Sequence, residues 1–153
     1  MNDKLIVNGW KKLQGDFDVQ GSKNEAFEVM CACLLTKETV VIKNLPQITD
    51  VANLIDIFKL LNVKIEKLNE KDYSFCAKDL LDIDQINLET LRAYINKLRG
   101  GILILGPILV RFHKAIIPLP GGDKIGRRRL DTHFVGLSML NVESNFDEKL
   151  KAY

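Results

Sequence analysis

Apolar residues at 26, 27, 30, 31 and 34 recur at intervals of three and four, so the spacing predicts a helix from Lys23 to Thr36. Val29, Ala32, Cys33 and Leu35 fill the gaps, which implies burial on more than one face. Ser22 stands at the N-cap position, and Glu25 three residues on completes the pattern of a capping box. Upstream, Leu5–Val7 is a short strand candidate ending at the Asn8-Gly9 turn signal, and Phe17 and Val19 alternate with Asp16, Asp18 and Gln20 as in a half-buried strand. Downstream, the β-branched run Thr39–Ile42 predicts a strand. Val51, Leu54, Ile55, Phe58 and Leu61 form the stripe of a second helix, capped by Thr49 or Asp50, and 63–66 with 73–76 read as a hairpin across the polar stretch 69–72.

The same order begins again. Ile83–Ile86 is a strand candidate, and Leu91, Leu98, Ile102, Leu105, Leu109 and Phe112 lie on one long helical stripe that Gly100-Gly101 and Gly106-Pro107 weaken or kink. Ile116-Ile117 answers Val41-Ile42, and Leu140-Asn141-Val142 answers Leu61-Asn62-Val63. The chain therefore reads as a mixed α/β protein of two divergent βαβαββ units, residues 21–80 and 81–153, preceded by a strand segment over 1–20. The copies differ in one place: the compact connection 43–49 of the first is replaced in the second by a longer, glycine-rich, cationic loop over 119–130, and such connections are where function is added to a scaffold.

Composition changes this picture little. With 153 residues, 46% hydrophobic and 27% charged, the chain is long enough for one globular domain with a real core. A net charge of +2 gives no global pull toward nucleic acid. Cys31, Cys33 and Cys76 lie in apolar or strand-like runs without metal-ligand spacing, and read as reduced core thiols of a cytoplasmic protein. The longest apolar stretch, 102–110, is far short of the roughly 20 residues of a membrane span. Trp10, before Lys11-Lys12, reads as a packing or interface residue.

Chemistry concentrates at 119–133. Gly121, Gly122 and Gly126 allow close backbone approach to a ligand, and Lys124 with Arg127, Arg128 and Arg129 offers charge to an anion. The residues taken singly admit either a phosphate-binding loop or a solvated basic hairpin. Their order is more specific. Pro120-Gly121-Gly122, then Ile125-Gly126, Arg128, Asp131 and His133, together with Gly21-Ser22-Lys23-Asn24 upstream and Leu98-Arg99, Leu105-Gly106-Pro107 and Arg111-Phe112 between, resembles the enolpyruvyl transferase family, in its aminosugar-nucleotide branch. The likeness runs from about Leu5 to the last residues.

That resemblance implies the inverse α/β fold of the family: two globular domains, each of three such units, with the active site in the cleft between them. Two units are present here, so the chain is expected to be an N-terminal portion, with residues 1–20 belonging to the other domain. Apolar surface left where a third unit would pack implies self-association. The implied reaction transfers the enolpyruvyl group of phosphoenolpyruvate to the 3-hydroxyl of UDP-N-acetylglucosamine, in peptidoglycan precursor synthesis, with no metal and no organic cofactor. Lys23 is implied in catalysis and phosphoenolpyruvate binding, Asn24 in holding the sugar nucleotide, Arg99 and Arg128 in gripping the three-carbon acid, and Arg129, Leu130 and Asp131 in a uridine pocket. Asp123 stands where most of the family carries a cysteine that serves as general acid. A carboxyl can donate a proton if its pocket keeps it protonated, whereas the neighbouring cations favour the carboxylate, so its state stays open. The exchange also implies low sensitivity to fosfomycin, an epoxide aimed at that thiol. Arg129 stands in place of the usual proline, and His133 reads as structural or loop-supporting. The alternative to an enolpyruvyl transferase portion is a non-catalytic module that binds a phosphate-bearing ligand or an acidic partner.

Overall fold

The computed structural model describes residues 4–122 and 129–153. In chain order these form α1 (Lys23–Ala32) running into a 3-10 turn (Cys33–Leu35), β1 (Thr39–Ile42), α2 (Thr49–Leu60), β2 (Lys64–Lys67), β3 (Tyr73–Cys76), a 3-10 turn (Ile83–Gln85), α3 (Leu88–Ile95), a 3-10 helix (Arg99–Ile104) running into α4 (Leu105–Phe112), and α5 (Asp131–Met139). The mixed helix-and-sheet class is as the sequence predicts.

The first half follows the expected order closely. Ser22 caps α1 by accepting the Glu25 N–H at 3.5 Å. The strands make one antiparallel sheet in the order β1-β3-β2, and the register places Phe75 between Val40 and Ile65. Phe75 is fully buried and meets Phe58 of α2 edge to face, ring centres 6.0 Å apart, so α2 seals the inner face of the sheet. A polar knot closes the hairpin: Asp72 accepts from the Asn44 backbone N–H (2.9 Å) and from Asn69 Nδ2 (2.7 Å), while the Leu45 N–H donates to the Lys71 carbonyl at 2.8 Å. α2 has no side-chain cap. Its N-cap residue is Ile48, and Asp50 lies in the first turn and pairs with Lys23 instead.

Elsewhere local chemistry outweighs periodicity. Residues 4–22 form no helix or strand, and Leu5, Ile6, Val7, Phe17 and Val19 are exposed, so the two strand candidates there have no neighbour to pair with. Ile83–Gln85 is a 3-10 turn, because Asp82 and Gln85 exchange side-chain and backbone bonds in a complete capping box. The long stripe over 91–112 is three pieces, not one helix. α3 ends at Ile95, and the Gly100-Gly101 pair sits in the 3-10 helix, where a Cβ on Gly100 would fall 2.4 Å from the Phe27 ring. Pro107 lies in the first turn of α4, just past the junction with the 3-10 helix, where a missing backbone N–H is tolerated. Ile116-Ile117 is no strand, although Ile117 and Tyr153 exchange backbone bonds of 2.8 and 2.9 Å beside the isolated Pro118–Ala152 bridge.

One buried apolar cluster runs from Ala26 to Leu130 and joins both halves. Cys31 and Cys33 belong to it, and burial pushes their thiols up to about 12 and about 11. α1 packs against α2 and against Arg99–Ile104, and α4 packs against Cys33–Leu35. α5 is different: it buries none of its own residues, and Val135 and Met139 are exposed. Among the described residues no helix is long and apolar enough to cross a membrane.

Candidate functional site

Two helical beginnings from distant parts of the chain converge on one cavity of about 480 Å³. From α1 come Lys23, Asn24, Phe27 and Glu28, which lie on one side of the helix because they are separated by three or four residues. From the turn before the 3-10 helix and its first residues come Lys97, Leu98, Arg99 and Gly100; Asp50 of α2, Gly122, Leu130 and His133 also contribute. Of the residues singled out in the sequence, Lys23, Asn24, Arg99 and Leu130 are thus brought together.

The mouth of the cationic loop is fastened to the same place. The Gly121 N–H donates to the Ile95 carbonyl at 3.2 Å and the Gly122 N–H to the Asn96 carbonyl at 3.1 Å. Gly121 has backbone where a side chain would be: an added Cβ would stand 1.8 Å from the Asn96 carbonyl oxygen. Gly122 has φ +92 and passes 3.1 Å from the Arg99 backbone nitrogen on the same basis, so this position needs glycine for its conformation. On the far side of the loop, the Arg129 carbonyl accepts from Arg99 Nη2 at 3.4 Å. Both ends of the loop therefore rest on the turn that carries Arg99. Asp123 and Arg128 lie outside the described residues, as do Lys124 and Arg127.

Arg129 and Asp131 occupy a second concavity of about 450 Å³, shared with Leu119, Phe134, Ser144, Asn145, Phe146 and Tyr153. Arg99 and Leu130 line both, forming the wall between them. The Arg129 guanidinium makes a two-point pair with Asp131, Nε to Oδ1 at 3.0 Å and Nη2 to Oδ2. Phe134 and Tyr153 stack at 4.3 Å beneath, with Phe146 4.9 Å from Tyr153.

Within the first cavity the Lys23 ammonium is paired with Asp50 and lies 5.9 Å from the Phe27 ring centre. Lys97 lies over the Tyr94 ring at 5.3 Å. Among the described residues of this lining, Lys23, Lys97 and Arg99 face Glu28 and Asp50, three cations against two carboxylates. Sequence reasoning did not single out Lys97, Glu28 or Asp50. Glu28 was open to detection as the residue four beyond Asn24 on one helix face, and Lys97 as a cation two before Arg99; Asp50 was visible only as a candidate helix cap, since packing alone brings α2 beside α1. His133, read as loop support, lines the cavity from the first turn of α5. Among the described residues no three His, Cys, Asp or Glu side chains gather as metal ligands.

Such a concavity suits a polyanion with a neutral polar group at one end: guanidinium and ammonium groups for phosphate or carboxylate, and an amide for a hydroxyl or amide partner. Residues 7–152 match the family model described as EPSP synthase (3-phosphoshikimate 1-carboxyvinyltransferase). Similar proteins include the UDP-N-acetylglucosamine 1-carboxyvinyltransferases of Porphyromonas gingivalis (43% identical over 97% of this chain and 34% of that protein) and Bacteroides thetaiotaomicron (41%, over 97% and 34%). That of Treponema denticola is 35% identical over 95% of this chain and 33% of its own length. The chain spans about a third of the length of these curated relatives.

Proposed function

The chain belongs to the EPSP synthase family, and from that membership we propose that its residues form part of the site where an enolpyruvyl group passes from phosphoenolpyruvate to the 3-hydroxyl of UDP-N-acetylglucosamine. The observation that carries the proposal is the convergence of Lys23, Asn24, Arg99 and Leu130, from segments separated by up to about a hundred residues, on one cavity. In the addition step the sugar 3-hydroxyl gives its proton to a general base and its oxygen bonds to C2 of phosphoenolpyruvate, while the C2–C3 double bond opens and C3 takes a proton. In the elimination step inorganic phosphate leaves with the electrons of its C2–O bond, C3 gives a proton up and the C2–C3 double bond re-forms. Charge on phosphate and carboxylate is high throughout, so fixed cations are the main service that this wall of the site renders.

Lys23 and Arg99 take the phosphate and carboxylate of the three-carbon acid, and Asn24 takes the acetamido sugar. Arg129, Leu130 and Asp131 bound the second concavity, which takes the nucleoside end. Asp123 supplies the proton to C3, and Arg128 joins Arg99 in gripping the three-carbon acid. Division into units at 21–80 and 81–153 belongs to the same proposal. It is supported by matched helix ends at Leu61-Asn62-Val63 and Leu140-Asn141-Val142. The product is a peptidoglycan precursor and the setting is cytoplasmic.

Isothermal titration tests the reading. UDP-N-acetylglucosamine binding that weakens about tenfold on Asn24→Ala, the loss of roughly one hydrogen bond to a ligand, supports it. Binding of inorganic phosphate or polyanions with no response to UDP-N-acetylglucosamine overturns it in favour of a non-catalytic phosphate-binding module.

A further inference from the structure

We propose that Arg111 is a positioning residue for the cavity, setting the lengthwise register of the two helical rods whose starting ends carry Lys23, Asn24 and Arg99. The inference rests on the reading of that cavity given above. One rod is α1 with Cys33–Leu35; the other is Arg99–Ile104 with α4. They lie side by side in the same direction, since Arg99–Ile104 packs on α1 and α4 packs on Cys33–Leu35. Their first residues line the cavity, and Arg111 sits roughly 20 Å away, near the other end of its rod.

At that far end the half-buried guanidinium spans three backbone acceptors. Nη1 donates to the Leu34 carbonyl at 2.9 Å and the Thr36 carbonyl at 3.3 Å, and Nη2 to the Ala77 carbonyl at 3.1 Å. Leu34 and Thr36 close the first rod, where carbonyls lack helical partners and a cation is favoured. Ala77 follows β3, so the sheet is tied into the same point. Apolar residues of the shared core on the two rods, among them Phe27, Met30, Leu34, Ile104 and Ile108, attract without directional preference and by that attraction alone leave lengthwise shifts open. A planar fork on three fixed oxygens does not. At the cavity end the tolerance is small, because Gly100 touches the Phe27 ring. A slip at Arg111 therefore becomes a change in the spacing between Lys23, Asn24 and Arg99.

Proton NMR of the whole chain reads this directly, since the Gly100 Hα protons should carry a ring-current shift and a cross-relaxation peak from Phe27. In Arg111→Met both should change, and in Arg111→Lys they should change less, while the Val40 to Phe75 cross-strand contacts stay as in the wild type. Arg111→Lys keeps the cation and decides the matter if Arg111→Met does not fold. UDP-N-acetylglucosamine affinity should fall on the order of 10- to 100-fold in step with the Gly100 signal. An unmoved Gly100 signal in the folded variants overturns the proposal, and so does a moved signal with unaltered affinity. A wild-type chain that binds no UDP-N-acetylglucosamine refutes the function proposed above instead, and the Gly100 signal alone then decides whether Arg111 sets the register.

Discussion

Asn62 and Asn141 share one backbone state at equivalent places: φ is +62 and +61, each follows the last turn of its helix, and the valine after each donates its N–H back to the residue five earlier, Phe58 and Leu137. Both are left-handed helix stops of the six-to-one kind, where asparagine is the usual substitute for glycine. Asn62 does more, because its Nδ2 donates to the Asp79 carbonyl at 2.9 Å. Asn141→Gly is expected to be neutral or stabilising by a few tenths of a kcal/mol, and Asn141→Ala to cost about 1 kcal/mol. Asn62→Gly is expected to destabilise, since the backbone gain is offset by the lost side-chain bond. Urea unfolding midpoints of the three variants check this ordering.

Asp72 gives the fold an acid-sensitive element. The Asn44 backbone N–H and then the Asn69 side chain hold its carboxyl below the ordinary value of 3.8. A carboxyl with a depressed folded-state value contributes stability above its unfolded value and loses that contribution as pH falls through the folded one. Asp72→Asn should therefore be less stable than the wild type at pH 6 to 7, with the difference closing below about pH 4. Denaturation midpoints of both proteins across that range test it, and a pH-independent difference would contradict the role given to the charge.

Gly121→Ala should disturb the cavity more than a surface substitution does. The added methyl would meet the Asn96 carbonyl 1.8 Å away, and that obstacle is backbone, which cannot rotate aside. A cost of about 1–3 kcal/mol is expected, together with amide shift changes at Asn96 to Arg99. Gly136→Ala is the control, since nothing lies within 4 Å of a Cβ there. Two-dimensional amide spectra and thermal unfolding of the pair make the comparison.

The first half of the fold was legible because each local signal had a partner nearby. Ser22 capped the helix it preceded, and the 63–66 and 73–76 alternations found each other across a short turn. Phe17 and Val19 show the same alternation without a neighbouring strand, and alternation alone makes none. Ile83–Ile86 failed for a different reason: Asp82 and Gln85 satisfy each other's backbone groups locally and remove the incentive to pair with another strand. At the site, motif order brought out Lys23, Asn24, Arg99 and Leu130, which share a cavity. Asp50 stayed hidden because its importance arises from α2 packing beside α1, a fact of tertiary structure.

The Lys23–Asp50 pair has a thermodynamic corollary. An anion docking beside that ammonium displaces a carboxylate and not merely water, so its affinity is the difference between two competing ionic attachments. Dissolved electrolyte weakens both, and the ionic-strength dependence of association is correspondingly shallower than a tally of lysines and arginines around the ligand would suggest.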